Sequence, residues 1–252
     1  MSPPPIHRIA ADGFGGAADV YDRGRPDYPA RAVALVVELA RAGPGGPILD
    51  LAAGTGIFTQ ALVGAGLRPI AAEPVAPMRE RLARSMPGVP VLAATAEAMP
   101  FARASMGSVT VAQAFHWFDG RAAVEELARV MRPTAPLVVV FNVRDRADAT
   151  QAALDTIWEP YRGDTPTHRA GQWRASFDGA TRFTALRRES FPHEQILDVD
   201  GLVDRAVSVS FIATRSKAER ARIADRVRSV AKGQAEITLP YRTDVWWCVR
   251  RG

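Results

Sequence analysis

Cysteine is almost absent. Cys248 is the single one, so no internal disulfide can form and a cysteine-based zinc site is excluded. Histidine is scarce as well: His7, His116, His168 and His193 are scattered and lack metal-ligand spacing, so no metal is expected. No apolar run approaches the ~20 residues of a membrane-spanning helix. The start carries no basic segment followed by an apolar stretch, so the expectation is a cytoplasmic protein without membrane association. Lysine is confined to Lys217 and Lys232, and the net charge of +5 therefore rests on arginine. Those arginines are spread along the chain, not gathered into a stripe with aromatics between them, which argues against a nucleic-acid partner.

What remains is a 252-residue chain with 47% hydrophobic residues, enough for one α/β domain carrying an insertion. Only the leader Ser2-Pro3-Pro4-Pro5 reads as disordered. An amphipathic helix is expected over Arg31 to Arg41. Short apolar runs then alternate with helical periodicity. Strands are expected at Pro47–Leu51, Arg68–Ala72, Val89–Leu92, Val109–Ala114 and Leu137–Phe141. Helices are expected through Phe58, Leu62 and Val63, over Ala76–Ser85 and over Arg121–Met131. Such alternation implies right-handed crossovers and a doubly wound, mostly parallel sheet. Residues 145–181 are polar, contain Trp158, Tyr161 and Trp173, and read as a mostly helical insertion over the sheet edge. Two further strands, Leu186–Ile196 and Ile237–Arg250, flank helices at Val199–Val207 and Lys217–Ala231. The segment Val245-Trp246-Trp247-Cys248-Val249 is apolar on both faces and is expected to be buried on both.

The strongest chemical signal is Leu49-Asp50-Leu51-Ala52-Ala53-Gly54-Thr55-Gly56-Ile57-Phe58-Thr59. A strand enters a tight turn and a helix follows at once. Gly54 and Gly56 can take backbone angles closed to other residues and let a ligand approach the main chain. The helix N-terminus adds unpaired N–H groups and partial positive charge. Two ligand classes compete for such a loop. Dinucleotide binding wants G-x-G-x-x-G, but Thr59 occupies the place of the third glycine. The frame acid-x-small-x-Gly-x-Gly instead fits Asp50, Ala52, Gly54 and Gly56. Glu73 ends the second strand about 20 residues beyond the loop, where a carboxylate can accept from both ribose hydroxyls. A dinucleotide would use that acid equally well.

Thr95-Ala96-Glu97 follows the third strand, and Gln113-Ala114-Phe115-His116-Trp117-Phe118 follows the fourth. Three aromatics and a histidine at a strand's carboxyl end need something to pack against. Together with Tyr21-Asp22-Arg23-Gly24-Arg25-Pro26-Asp27-Tyr28-Pro29, the glycine loop, Ala72-Glu73-Pro74 and Leu239-Pro240-Tyr241-Arg242-Thr243, these segments occur in the order seen in a known family. The chain resembles the class I S-adenosylmethionine-dependent methyltransferases of the type-11, small-molecule kind, which include trans-aconitate methyltransferase-like enzymes. The resemblance covers nearly the whole chain except 145–181. It departs at Ala52, where the family usually has glycine, and at Met106-Gly107-Ser108, where relatives usually carry an acid.

The resemblance implies a Rossmann-like sheet of seven strands with the last antiparallel, and S-adenosylmethionine as cofactor, with S-adenosylhomocysteine as product. It places Asp50, Ala52, Gly54, Gly56 and Gln113 along the methionine portion, Glu73 at the ribose, and Met78, Ala96 and Glu97 around the adenosine, with Pro74 also in the cofactor set. Phe115 joins this cofactor set. Residues 1–30 would form a lid carrying Tyr21 and Arg25. Arg25 either pairs with the cofactor's carboxylate or merely anchors the N-terminus. The 145–181 insertion would cover the active site, with the acceptor pocket between it and residues 115–118 and with Arg169 and Arg174 as candidate anion ligands. His116 is either a general base, suited by its ordinary pKa near 6.5, or a packed structural residue. The expected activity is methyl transfer to an oxygen, nitrogen or carbon of a small molecule by a monomer or homodimer. A dinucleotide-dependent oxidoreductase and a non-catalytic S-adenosylmethionine-binding protein are the rivals.

Overall fold

A computed structural model describes residues 24–168 and 171–252. The leader, Tyr21 and most of the expected lid lie outside the described residues, as does Arg169. Helix α1 (Ala30–Ala42) buries Ala32, Val33, Val36, Val37 and Ala40, the spacing of one helical face. Then come β1 (Ile48–Leu51), α2 (Ile57–Gly64), β2 (Pro69–Ala72), α3 (Ala76–Ser85), β3 (Val91–Leu92), β4 (Ser108–Ala112), α4 (Gly120–Val130) and β5 (Pro136–Arg144). Past β5 lie α5 (Ala149–Arg162), α6 (Gln172–Ala175), β6 (Arg187–Leu197), α7 (Val199–Val207), α8 (Ser210–Ala213), α9 (Lys217–Val230) and β7 (Ile237–Val249).

The strands form one sheet in the order β3-β2-β1-β4-β5-β7-β6. The first five pair in parallel, and β7 runs antiparallel to both β5 and β6. The chain winds outward from β1 to β3 and returns on the other side of β1 as β4. The β1/β4 boundary is therefore the topological switch point, where such sheets bind ligands at the strands' carboxyl ends. Successive residues of β5 serve opposite faces. Leu137, Val139 and Phe141 pack with Val124 and Leu127 of α4, while Val138 and Val140 pack with α1 and α2. This two-sided burial explains the uninterrupted apolar run in the sequence.

A third cluster stands apart from the sheet faces. Leu154, Ile157 and Trp158 of α5 pack with Leu202, Val203 and Ala206 of α7, Phe211 and Ile212 of α8, Ile223 and Val227 of α9, and Leu239 and Tyr241 of β7. Tyr241 is in register with Arg144, the last residue of β5, so β7 extends beyond β5 at that strand's carboxyl end and carries this helical cap there. Residues 145–181, expected to be a mostly helical insertion, hold α5 and α6, and these pack in different places. Helix α5 joins the cap, while Trp173 of α6 and Phe177 pack on the α4 face of the sheet. The Val245–Val249 segment also differs from expectation. Val245 and Cys248 are buried, but Trp246 and Trp247 are half-exposed. Guanidinium groups lie over them instead: Arg174 and Arg188 over Trp246, and Arg187 over Trp247. Among the described residues no helix is long and apolar enough to cross a membrane.

Candidate active site

The turn leaving β1 is built from left-handed residues: Ala52 at φ 56°, Gly54 at φ 60° and Gly56 at φ 96°. Gly56 caps α2, and its amide donates to the Ala53 carbonyl at 3.0 Å. A Cβ on Gly56 would come within 3.0 Å of Leu82 Cγ in α3. Gly56 therefore admits the neighbouring helix and does not clear ligand space, which corrects the reading from sequence. At Gly54 the nearest atom to an added Cβ is Met78 Sδ, at 3.9 Å.

Two carboxylates fix this turn from behind. Asp50 is fully buried at the end of β1; its Oδ2 accepts from Thr59 Oγ1 at 2.6 Å and its Oδ1 from Thr110 Oγ1 at 2.9 Å. Burial pushes its pKa up to about 6, against the opposing pull of those two hydroxyls. Thr59, which breaks the dinucleotide pattern, thus serves as a carboxylate partner. Glu73 accepts from the Gly54 amide through Oε2 and from the Val75 amide through Oε1, both at 2.8 Å. Burial raises its pKa to about 7, partly offset by those amides and by Arg79.

A cleft opens at this turn. Asp50, Ala52, Ala53, Gly54, Thr55 and Phe58 line one side; Ala112 and Gln113 extend it across β4. The far side is Asn142 of β5, Tyr241 of β7 and Arg205 of α7, with Arg25, Pro26 and Tyr28 also lining the cleft. Arg25 reaches the Ser208 carbonyl at 3.2 Å, and Tyr28 meets Phe58 edge-on at 4.7 Å. A polar chain crosses the far side. Arg205 Nε donates to the Tyr241 hydroxyl at 3.0 Å, that hydroxyl donates to Gln195 Oε1 at 3.2 Å, and Gln195 Nε2 donates to the Gly24 carbonyl at 3.3 Å. Gly24 lies so close to α7 that an added Cβ would stand 2.6 Å from the Asp204 carbonyl oxygen.

Of the residues singled out from sequence, the cleft brings together Arg25, Asp50, Ala52, Gly54 and Gln113. Glu73 and Met78 sit buried behind the turn, and Pro74 accepts from Arg79. Ala96 is buried, and Glu97 accepts from the Asp119 amide at 2.9 Å just ahead of α4. Phe115 belongs to the core, against Trp173 and Phe177. None of these residues lines this cleft, and Glu73 borders it through the Gly54 amide that it holds.

His116 does not line the cleft; its ring lies 5.8 Å from that of Phe141 and 6.1 Å from that of His168, measured between centroids. Its ring is half-covered, yet Nδ1 is buried and has no hydrogen-bond partner among the described residues. Burial, then His168 and Arg25, push its pKa down to about 3. The space between the insertion and the aromatic segment is filled by the contacts of Phe115 with Trp173 and Phe177. Arg174 is exposed and stacks on Trp246, so it does not face the cleft. Sequence reasoning missed Asn142, Arg205 and Tyr241. Of these only Tyr241 lay in a recognised segment, and nothing local marks the other two.

Residues 49–139 match a family described as a methyltransferase domain. Over 243 residues the chain is 33% identical to Rv3342, an uncharacterized methyltransferase of Mycobacterium tuberculosis, covering 94% of each chain. A candidate type II methyltransferase from Anaeromyxobacter dehalogenans has the same fold, with TM-score 0.64 and 25% identity over 90% of this chain and 97% of that one. The Haemonchus contortus phosphoethanolamine N-methyltransferase 2, solved with S-adenosylhomocysteine, shares the fold at TM-score 0.51 and 11% identity, over 88% of this chain and 52% of that one. A seven-stranded sheet of this order, with β7 antiparallel, matches the fold of solved methyltransferases. The chain belongs to the S-adenosylmethionine-dependent methyltransferases of the type-11 kind.

Proposed function

We propose that the chain methylates a small molecule held in this cleft between the Asp50–Phe58 turn and the cap. The carrying observation is that one cleft joins the turn on β1 to polar side chains of β5, β7 and α7. Thr55 supports the cofactor assignment: it lines the cleft, and its Oγ1 is buried without a hydrogen-bond partner among the described residues. A ligand carrying an amino or carboxylate group would satisfy it. Gly54, Ala53 and Gln113 would hold the methionine portion, with Asp50 behind them, and Glu73 the ribose through the lone pairs its two amide partners leave free.

When bound, S-adenosylmethionine supplies an already activated sulfonium methyl. The protein's part is to align the acceptor in line with it and to exclude water. Arg25, Pro26 and Tyr28 close one side of the cleft, and the α5–α9 cap stands over the other. We give His116 a narrower part than general base. It stays neutral and packs against the Phe141 and His168 rings.

Calorimetry with S-adenosylhomocysteine and with NAD tests the cofactor assignment: binding of the first and not the second is expected, and the reverse overturns it. Mass spectrometry for a gain of one methyl, across carboxylates, phenols, amines and heterocycles, identifies the acceptor.

A further inference from the structure

We infer that the acceptor is an anion, a carboxylate or a phosphate, and that Arg205 at the cap end of the cleft binds its charged group. This rests on the methyltransferase reading of the cleft and names the chemistry of its second occupant.

Arg205 lines the cleft while only 5% exposed. Its Nε is spent on the Tyr241 hydroxyl, a neutral acceptor, and its Nη1 is buried with no partner. Among the described residues no carboxylate pairs with it. A buried guanidinium without an anion is costly, and the group that would repay that cost must come from the cleft. Its surroundings are positive as well. Arg25 lines the same cleft. Arg144 lies 4.5 Å and Arg205 5.6 Å from the Trp158 ring centroid. Burial and the charge of Arg205 lower the Arg144 pKa to about 10, although Asp155 partly offsets both. Asp155 also binds Arg146, so it has little capacity left for a further cation.

The cofactor's own carboxylate is the competing anion, and placement argues against it. Arg205 is tied to β7, which lies three strands from β1 in the sheet order. At ~4.8 Å per strand, that is roughly 14 Å from the strand whose turn receives the cofactor. Thr55, by contrast, offers its unpartnered hydroxyl within that turn. The Tyr241–Gln195–Gly24 chain then acts as a positioning device that aims the guanidinium into the cleft.

The test uses the full chain saturated with S-adenosylhomocysteine and three probes of one shape: benzoate, phenyl phosphate and the neutral benzamide. Calorimetry is expected to show binding of at least one anion and little of benzamide; which anion binds separates carboxylate from phosphate. R205M should weaken the anion by roughly tenfold or more, the loss for a hydrogen bond to a charged group, while leaving S-adenosylhomocysteine affinity within about twofold. R205K, which keeps the charge but loses the planar fork, should fall between. Y241F keeps the guanidinium and removes its guide, so it should weaken the anion alone and provides a reading if R205M fails to fold. Equal binding of benzamide and both anions overturns the inference. So does an R205M or Y241F protein with undiminished anion affinity, or an R205M protein that loses S-adenosylhomocysteine instead. A wild-type protein that binds no S-adenosylhomocysteine would instead overturn the cofactor assignment.

Discussion

Glu73 Oε2 accepts the Gly54 amide at 2.8 Å, so the acid ending β2 holds the turn that ends β1. The buried carboxyl has its pKa raised from 4.5 to about 7. The folded state therefore holds this proton more tightly than the unfolded chain. Its contribution favours folding most below about 4.5 and is lost progressively as pH rises to about 7. That amounts to a loss on the order of 3 kcal/mol. Urea unfolding at about pH 5 and about pH 8 should show the decline in the wild type and a smaller one in Glu73→Gln. Because ribose hydroxyls donate to the ionised form, S-adenosylhomocysteine affinity should rise as pH passes about 7, and should be flat in the variant.

Ala52 sits at φ 56°, where the family usually has glycine. A side chain there costs about 1–2 kcal/mol. Glycine's greater freedom in the unfolded chain takes back about 0.4–1 kcal/mol. Ala52→Gly should therefore stabilise the protein by about 0.5–1 kcal/mol, read as a higher urea midpoint with an unchanged slope. Gly56→Val should act oppositely, through its φ of 96° and the Leu82 contact, and should lower stability as well as cofactor binding.

Asp155 accepts from Arg144 and Arg146 and lies 3.6 Å from Arg162. Burial alone would raise its pKa, but Arg144 and then Arg146 hold it below the ordinary 3.8. Its stabilisation is full above that value and is lost as pH falls through the lower folded value. Asp155→Asn leaves the Arg144 charge uncompensated beneath the cap. It should cost about 3 kcal/mol in chemical denaturation, with the far-UV signal of the cap helices lost first.

His116 has its pKa pushed from 6.5 to about 3. The unfolded chain takes up this proton first on acidification, so stability falls as pH drops below 6.5. His116→Asn, neutral throughout, should show a shallower decline. So weak a base contributes little proton transfer. His116→Ala should therefore lower kcat by less than roughly 10²-fold, the lower bound of general-base catalysis. The pH–rate profile should lack a His116 limb near 6.5; such a limb, abolished in His116→Ala, would restore the general-base reading.

Local sequence determined the elements and the turn that leaves β1. The Ala76–Ser85 helix stands where its periodicity placed it, and β5 was legible because both its faces are buried. The Asp50–Gly56 turn was readable because left-handed backbone needs small residues at fixed offsets, and Glu73 because a strand end fixes its distance along the chain. Tertiary structure decided what those offsets serve. Gly56 faces Leu82 and Phe115 enters the core, each through a partner remote in sequence, and Thr59 binds Asp50 across the turn. The separate packing of α5 and α6, and the meeting of Arg205 with Tyr241 36 residues away, were not legible either. Hydrophobic periodicity shows that a helix buries a face but not against which partner. A buried arginine looks like a solvated one until the fold supplies its surroundings.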